Sequence, residues 1–407
     1  MERSEKEKQS NLNTGDVESS GQIKVRNVLL FFILVLIVAC TAAFTYLKSK
    51  NVDMENMSVK EIFSELVDFS GNEQKGKVSN EIKFDANEKH VFATYKGLII
   101  ESIKDSVKAL NEAGEEQWVV TVSAGNPVIK TAGSYMLIAD LTGKDVYLLN
   151  GGEIKWNRKM NGNIINADVN SSGFVSVVRE EKGYKGAITI INKKGNDVLS
   201  RTIAGKFVYM SKVSPSGKQF LINGLDASGV KSQAVVELNN MNDEKANSLE
   251  LGETSLLPYA GFLDNGDLVA TGDSAVYSFD TESKMKWKLE FPNNKIICSD
   301  ILSGDSTVLA LSEEDSSGKV TGNKTDIYTI NKSGEKKLLY SIDSKVKNIK
   351  TYSGVIAINT GTTVYYINGK GALMDKFDSK ISISDVYFLS RHKTVLVGKN
   401  SIVINNI

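Results

Sequence analysis

The residues able to do chemistry in this 407-residue chain are few and scattered. There are two histidines, His90 and His392, and two cysteines, Cys40 and Cys298. Two histidines without a Cys/His cluster cannot assemble the nitrogen and sulfur ligands of a zinc site. Neither has a neighbouring group that would complete a nucleophile–base pair. His392 follows Arg391 in a polar turn and His90 flanks a strand, so both read as solvated surface residues. The aspartates pair around turns, Asp140 with Asp145 about Thr-Gly and Asp264 with Asp267 about Asn-Gly. Calcium needs more converging oxygens than such a pair supplies, and hairpin turns use aspartates for their own backbone bonds. The SPSGK run at 214–218 lacks the glycine spacing of a phosphate loop and reads as a turn. Cys298, within KIICSD, reads as a small core residue. With Cys40 in an apolar run, no intramolecular disulfide is expected. No catalytic, cofactor-binding or metal-ligating residue emerges, and the expectation is a protein that is not an enzyme.

Charge excludes a further class. The chain carries 49 basic and 49 acidic residues, and the tail before Asn27 is itself balanced. Nothing marks it as a nucleic-acid binder, which needs a basic surface.

What the chain has in quantity is a repeat. The stretch VYLLNGGEIKWNRKM from Val146 reads as a strand, a glycine turn and a second strand carrying a tryptophan. Its five-residue core (branched apolar, two variable, apolar, Asn or Asp) recurs from positions 107, 146, 188, 235, 276, 327 and 364, and from Ser401 with serine in first place. The spacings run from 37 to 51 residues and average 42. Strand-rich repeats of about 40–45 residues are the signature of β-propeller blades. Upstream of each core lies a hairpin, as in IKTAGSYMLIAD from Ile129 or SKVSPSGKQFLIN from Ser211. Downstream lies an outer strand such as KMKWKLEF. All four prolines fall at repeat borders or in a turn, where no ladder bond is lost. The prediction is an all-β, eight-bladed propeller over 81–407, or seven blades if one repeat is misphased.

The last repeat lacks an outer strand before Ile407, whereas Glu81-Ile82-Lys83-Phe84-Asp85 precedes the first and resembles the outer strand of the seventh, Met374-Asp375-Lys376-Phe377-Asp378. The N-terminal strand is therefore expected to complete the last blade and close the ring, leaving no sheet edge exposed.

Ahead of the propeller, residues 1–27 read as a disordered cytoplasmic tail. Val28 to Leu47 is twenty residues without a charge, about 30 Å of helix and enough to span a bilayer core. Residues 48–80 read as a short juxtamembrane helix, opened by the capping box at Ser58, and a polar linker. The expected layout is a single-pass membrane protein with the tail inside and the propeller outside the cell. The alternative is a lipoprotein anchored at Cys40, since Ile37-Val38-Ala39-Cys40 resembles a lipobox, but the run stays apolar past Cys40.

The repeats at Val107, Val146 and Val276, with Trp118, Trp156 and Trp287 following the core start by 11, 10 and 11 residues, resemble the pyrroloquinoline-quinone-type propeller repeat. In the other five, residues such as Leu199 and Leu339 stand in place of tryptophan. That resemblance implies kinship with quinoprotein dehydrogenases and with a non-enzymatic scaffold lipoprotein of outer-membrane assembly. The layout of tail, span and degenerate propeller also resembles a family of single-span proteins of clostridia and other Gram-positive bacteria. Fold kinship of this kind does not carry function. On outer strands the tryptophans lie far from any central cofactor and read as packing between blades.

The function expected is a non-enzymatic scaffold at the bacterial cell envelope, bound to the lipid bilayer through Val28 to Leu47 and offering propeller loops to an envelope protein or a glycan. The alternatives are a ligand-sensing ectodomain working through a partner, and a quinone-dependent dehydrogenase or hydrolase, which would need carboxylates converging on the pore. Two polar insertions, Asn239 through Glu253 and Glu313 through Lys324, lengthen their repeats and mark loops where binding commonly resides.

Overall fold

In the computed structural model the described residues are 30–35, 37, 38, 41, 42 and 45, and 78–407 apart from 243–246, 252–255, 303–305, 316 and 318. The chain divides into two compact units, 1–50 and 51–407.

The described residues of the first unit are helical. Leu30, Phe31, Phe32, Ile33, Leu34, Val35, Ile37 and Val38 are all exposed on it. Thr41 Oγ1 donates to the carbonyls of Ile37 and Val38, and Thr45 Oγ1 to those of Thr41 and Ala42, all at 2.9 Å. Hydroxyls satisfied by the preceding turn need no outside partner. Among the described residues no helix is long and apolar enough to cross a membrane. The two ends of the span expected at 28–47 lie outside the described residues, as do Cys40, the tail at 1–27 and residues 48–77 of the juxtamembrane segment.

The second unit folds as eight four-stranded antiparallel sheets. Blades I to VII occupy 91–121, 127–159, 164–203, 207–250, 259–290, 294–342 and 348–378. Blade VIII is 385–406 with Val78–Lys83 as its fourth strand. All eight predicted core motifs fall on the third strand of a blade, which removes the seven-bladed alternative. The closing strand pairs as expected, Lys83 against Ser401 and Ile82 against Ile402, and begins at Val78, three residues before the boundary read from the sequence.

Alternation on each strand sends side chains to opposite faces of its blade. In blade II, Met136 and Ile138 join the apolar cluster shared with blade I, while Leu137 and Ala139 join the one shared with blade III. Eight such clusters fill the eight blade interfaces.

The motif's terminal Asn or Asp closes the turn from third to fourth strand. Asn111, Asn192, Asp280, Asn331 and Asn368 each accept two backbone N–H bonds through Oδ1, at 2.9–3.2 Å. Among the described residues, four of the third-to-fourth turns receive a side chain from the preceding blade. Trp118 packs on Gly152, Trp156 on Gly195 and Trp287 on Gly334, and Trp287 Nε1 also donates to Lys332 O at 3.1 Å. Gly371 instead meets the backbone of Leu339. At the ring closure Ile82 packs on Gly114, so the seam repeats the joint used elsewhere. A Cβ at Gly195 would lie 3.0 Å from Trp156 Cγ, and its φ of +85° suits glycine.

Strand direction gives the ring two distinct faces. Turns from first to second and from third to fourth strand share one, here the turn face. Connections from second to third strand and from blade to blade share the other, the loop face.

Candidate functional site

The first strand of each blade borders the central channel, and six of the eight bring a charge there. In ring order from blade II these are Lys130, Asp168, Lys212, Asp300, Lys350 and Asp385, with Tyr259 standing between Lys212 and Asp300 on blade V. Lys130 senses Asp168, Lys212, Lys350 and Asp385, which belong to blades III, IV, VII and VIII. Groups from such widely separated blades act on one another only across a common channel.

The carboxylates at Asp300 and Asp385 are occupied. Asp300 Oδ2 accepts from the Thr351 N–H at 2.9 Å and the Thr351 hydroxyl at 3.2 Å, and Oδ1 from the Ile301 N–H at 2.9 Å. Burial pushes the Asp300 carboxyl above its ordinary range, while Lys350 and these donors oppose the shift. Asp385 accepts from the Val386 N–H and the Tyr387 hydroxyl, both at 2.9 Å. Burial, together with Asp385, holds the Tyr387 hydroxyl in its protonated form. Burial does the same to Tyr259, reinforced by Asp300 and Asp168.

The lysines are placed differently. Lys212 lies 5.2 Å from the Tyr259 ring centre and Lys350 5.7 Å from that of Tyr387, cation–π distances in both cases. Lys130 keeps access to the channel, yet the surrounding protein penalises its charge, and Lys212 and Lys350 add repulsion, so its pKa falls. At the turn-face mouth a cavity of about 310 Å³ opens between blades VII, VIII, I and II, bordered by Thr94, Thr131, Lys350, Thr351, Tyr352 and Tyr387.

The loop face carries a second concavity, about 630 Å³, bordered by Lys144, Asn163, Ile165, Glu180, Tyr184 and Phe207. Lys185 Nζ sits 5.1 Å from the Phe207 ring centre. The exposed large apolar side chains of the propeller fall into two groups among the described residues. Val78, Val119, Val198, Met285, Leu338 and Leu373 lie on fourth strands, at the rim. Ile165, Tyr184, Phe207, Val230, Leu256 and Ile381 lie at the loop face, with Val230 fully exposed. None lies in a turn of the opposite face.

The residues singled out from the sequence end in separate places. His90 is not solvated. Its side chain is 8% exposed, with Nδ1 2.7 Å from Glu101 Oε1 and the ring packed against Phe84 and Phe92. Phe84 directly follows the closing strand, so ring closure is what covers the histidine. His392 lies half-buried in the turn between the first two strands of blade VIII, where its carbonyl accepts the N–H of Ile407. Asp140 receives the Asn126 N–H at 2.7 Å, and Asp267 is held by Asn265 and Lys286, as turn residues would be. Among the described residues no three His, Cys, Asp or Glu side chains are placed to hold a metal. The run at 214–218 is the expected turn, with Ser214 Oγ accepting the Gln219 N–H at 3.1 Å. Cys298 is a free thiol in the wall beside Asp300, and burial pushes it up to about 12. The three tryptophans join blades, as predicted.

The six channel charges were not read from the sequence. Their signal is a single charge inside an otherwise uncharged first-strand segment, as in VIKTA, NADVN and NIKTY. The two insertions prove to lie on opposite faces. That at 239–253 takes in the third-to-fourth connection on the turn face and the fourth strand Asn247–Glu250 itself, and that at 313–324 joins second to third on the loop face.

The sequence model of a family of unknown function, DUF5711, matches residues 72–405. No curated protein matches the sequence. Among solved structures, BamB from Moraxella catarrhalis is similar over 81% of this chain and 99% of its own, at 14% identity and a TM-score of 0.54. Chaetomium thermophilum Sqt1, solved bound to the N-terminus of ribosomal protein L10, is similar over 82% and 100%, at 8% identity and 0.57. The C-terminal WD40 domain of Sif2 is similar over 83% and 99%, at 10% identity and 0.59. At these identities the likeness is one of fold.

Proposed function

The chain belongs to the DUF5711 family of unknown function, and on that premise we propose that its propeller is a non-enzymatic scaffold that docks a protein partner on the loop face. The observation that carries this reading is the clustering of exposed apolar side chains around the loop-face concavity. Ile165, Tyr184 and Phe207 border one loop-face concavity, with Val230, Leu256 and Ile381 on the same face, whereas Val78, Met285 and Leu373, at the turn-face ends of fourth strands, stand singly on three different blades. Exposed apolar surface rimmed by charge, as Phe207 is by Lys185, favours protein association. The 313–324 insertion extends from the same face, opposite the one at which the closing strand begins at Val78. Sqt1 illustrates that a ring of this kind can hold a peptide segment of another protein.

In this reading the exposed apolar helix within 28–47 anchors the chain in the cell membrane, with the tail inside and the propeller outside. The test is in-cell photocrosslinking of the full-length protein, with the crosslinker at Tyr184 on the loop face or at Lys370 in a turn of the other. A reproducible adduct from Tyr184 alone, abolished by Phe207→Asp, supports the proposal. No adduct, or equal adducts from both positions, refutes it.

A further inference from the structure

We propose that the central channel is a binding site for a small polyanion, a molecule carrying two or more carboxylate or phosphate groups, admitted from the turn face and held by Lys350, Lys130 and Lys212. The argument rests on which channel groups are already partnered. Three lysines and three aspartates suggest a closed belt of ion pairs, yet no lysine–aspartate pair of the channel comes within salt-bridge distance. Asp300 and Asp385 are instead satisfied by N–H and O–H donors of blades VI, VII and VIII. Among the described residues none of the three ammonium groups donates a hydrogen bond, and two of them rest over aromatic rings. Of the carboxylates, Asp168 alone accepts no hydrogen bond. The unspent capacity of the channel is therefore three cationic donors against one carboxylate.

Cations partly enclosed by protein with no anion in contact are costly, and burial, with repulsion from Lys212 and Lys350, lowers the Lys130 pKa in spite of attraction from Asp168 and Asp385. An anion with several acceptor oxygens removes that cost through charge-assisted bonds. The mouth adds the hydroxyl of Thr94 and a flat wall made by Tyr352 and Phe388, stacked 5.7 Å apart, while the Thr131 hydroxyl donates to the Thr94 carbonyl at 3.4 Å. This mouth cavity, about 310 Å³ and bordered by Lys350 but not by Lys130 or Lys212, is at the small end of ligand pockets and excludes a folded partner. This site is separate from the loop face and does not depend on the scaffold reading.

The test is isothermal titration of the full-length protein in detergent with citrate and with pyrophosphate at low ionic strength. The two probes distinguish a carboxylate ligand from a phosphate one. At least one should bind, and Lys350→Gln and Lys130→Gln should each weaken it by about tenfold or more. Asp168→Asn, which removes the free carboxylate, should tighten it, and affinity should fall as pH rises and Lys130 discharges. Lys284→Gln, on the exposed outside, should change nothing. Should a lysine variant fold poorly, the Asp168→Asn arm decides. Absence of binding by both anions at millimolar concentration, or binding indifferent to Lys130, Lys350 and Asp168, overturns the proposal.

Discussion

The two faces of the ring are built from the same strands and have been put to different uses. At the turn face, outside the blade IV connection lengthened by the 239–253 insertion, the turns are short, and those after Asn111, Asn192 and Asn331 are locked from two directions. An Asn or Asp of the repeat motif folds each of five third-to-fourth turns on itself, and an outer-strand side chain from the neighbouring blade presses on glycines such as Gly152, Gly195 and Gly334. At the loop face the connections carry exposed Tyr184, Phe207, Val230 and Leu256, which contribute little to blade packing. The ring is held together at one face and left free at the other. Stability and recognition can therefore be changed separately, because they rest on different residues.

The sharpest way to break that contrast is at the blade joints. Trp156→Ala should cost about 3–5 kcal/mol, because it empties a buried contact between blades II and III. The midpoint of denaturant unfolding of the full-length protein reads this directly. Gly195→Ala attacks the same joint from the other side, forcing a Cβ against Trp156 at a φ of +85°. It should cost about 1–3 kcal/mol, and combining the two should cost less than their sum if they report one contact. An undiminished sum would mean that the joint is not the unit described here. Phe207→Asp at the loop face, by contrast, should leave the midpoint in place while abolishing the crosslink.

The channel supplies a smaller effect with a definite sign. The folded-state pKa of Lys130 lies below the unfolded value near 10.5. Between the two, the unfolded chain binds a proton that the folded one has lost, so stability rises with pH across that window. Lys130→Gln should flatten this part of the pH profile and leave stability at neutral pH the same or higher. If the slope persists, the penalty on Lys130 has been misplaced.

Much of the architecture is legible in the amino acids because it is repetitive and local. The five-residue core lands on the third strand in all eight blades, since its alternation and its terminal Asn or Asp specify a strand followed by a tight turn. The ring closure is legible too, from the resemblance of two five-residue segments far apart in the chain. His90 shows where this reasoning fails. Five residues separate it from Phe84, yet nothing local reveals that the closing strand carries Phe84 onto its ring. The functional faces fail for a related reason, because the length of an insertion says nothing about the direction of the strand it follows.

By itself, then, the sequence determined the propeller architecture, the strand order, the turns and the tryptophan joints, all of which follow from periodicity and from contacts between consecutive blades, and left the count at eight or seven. Only the tertiary structure decided which residues meet in the channel and which share a face. Lys130 and Lys350 lie on blades II and VII, and Tyr184 and Ile381 on blade III and beyond blade VII. Closing the ring sets these distant positions around one axis, and such a placement leaves no periodic trace in the order of residues.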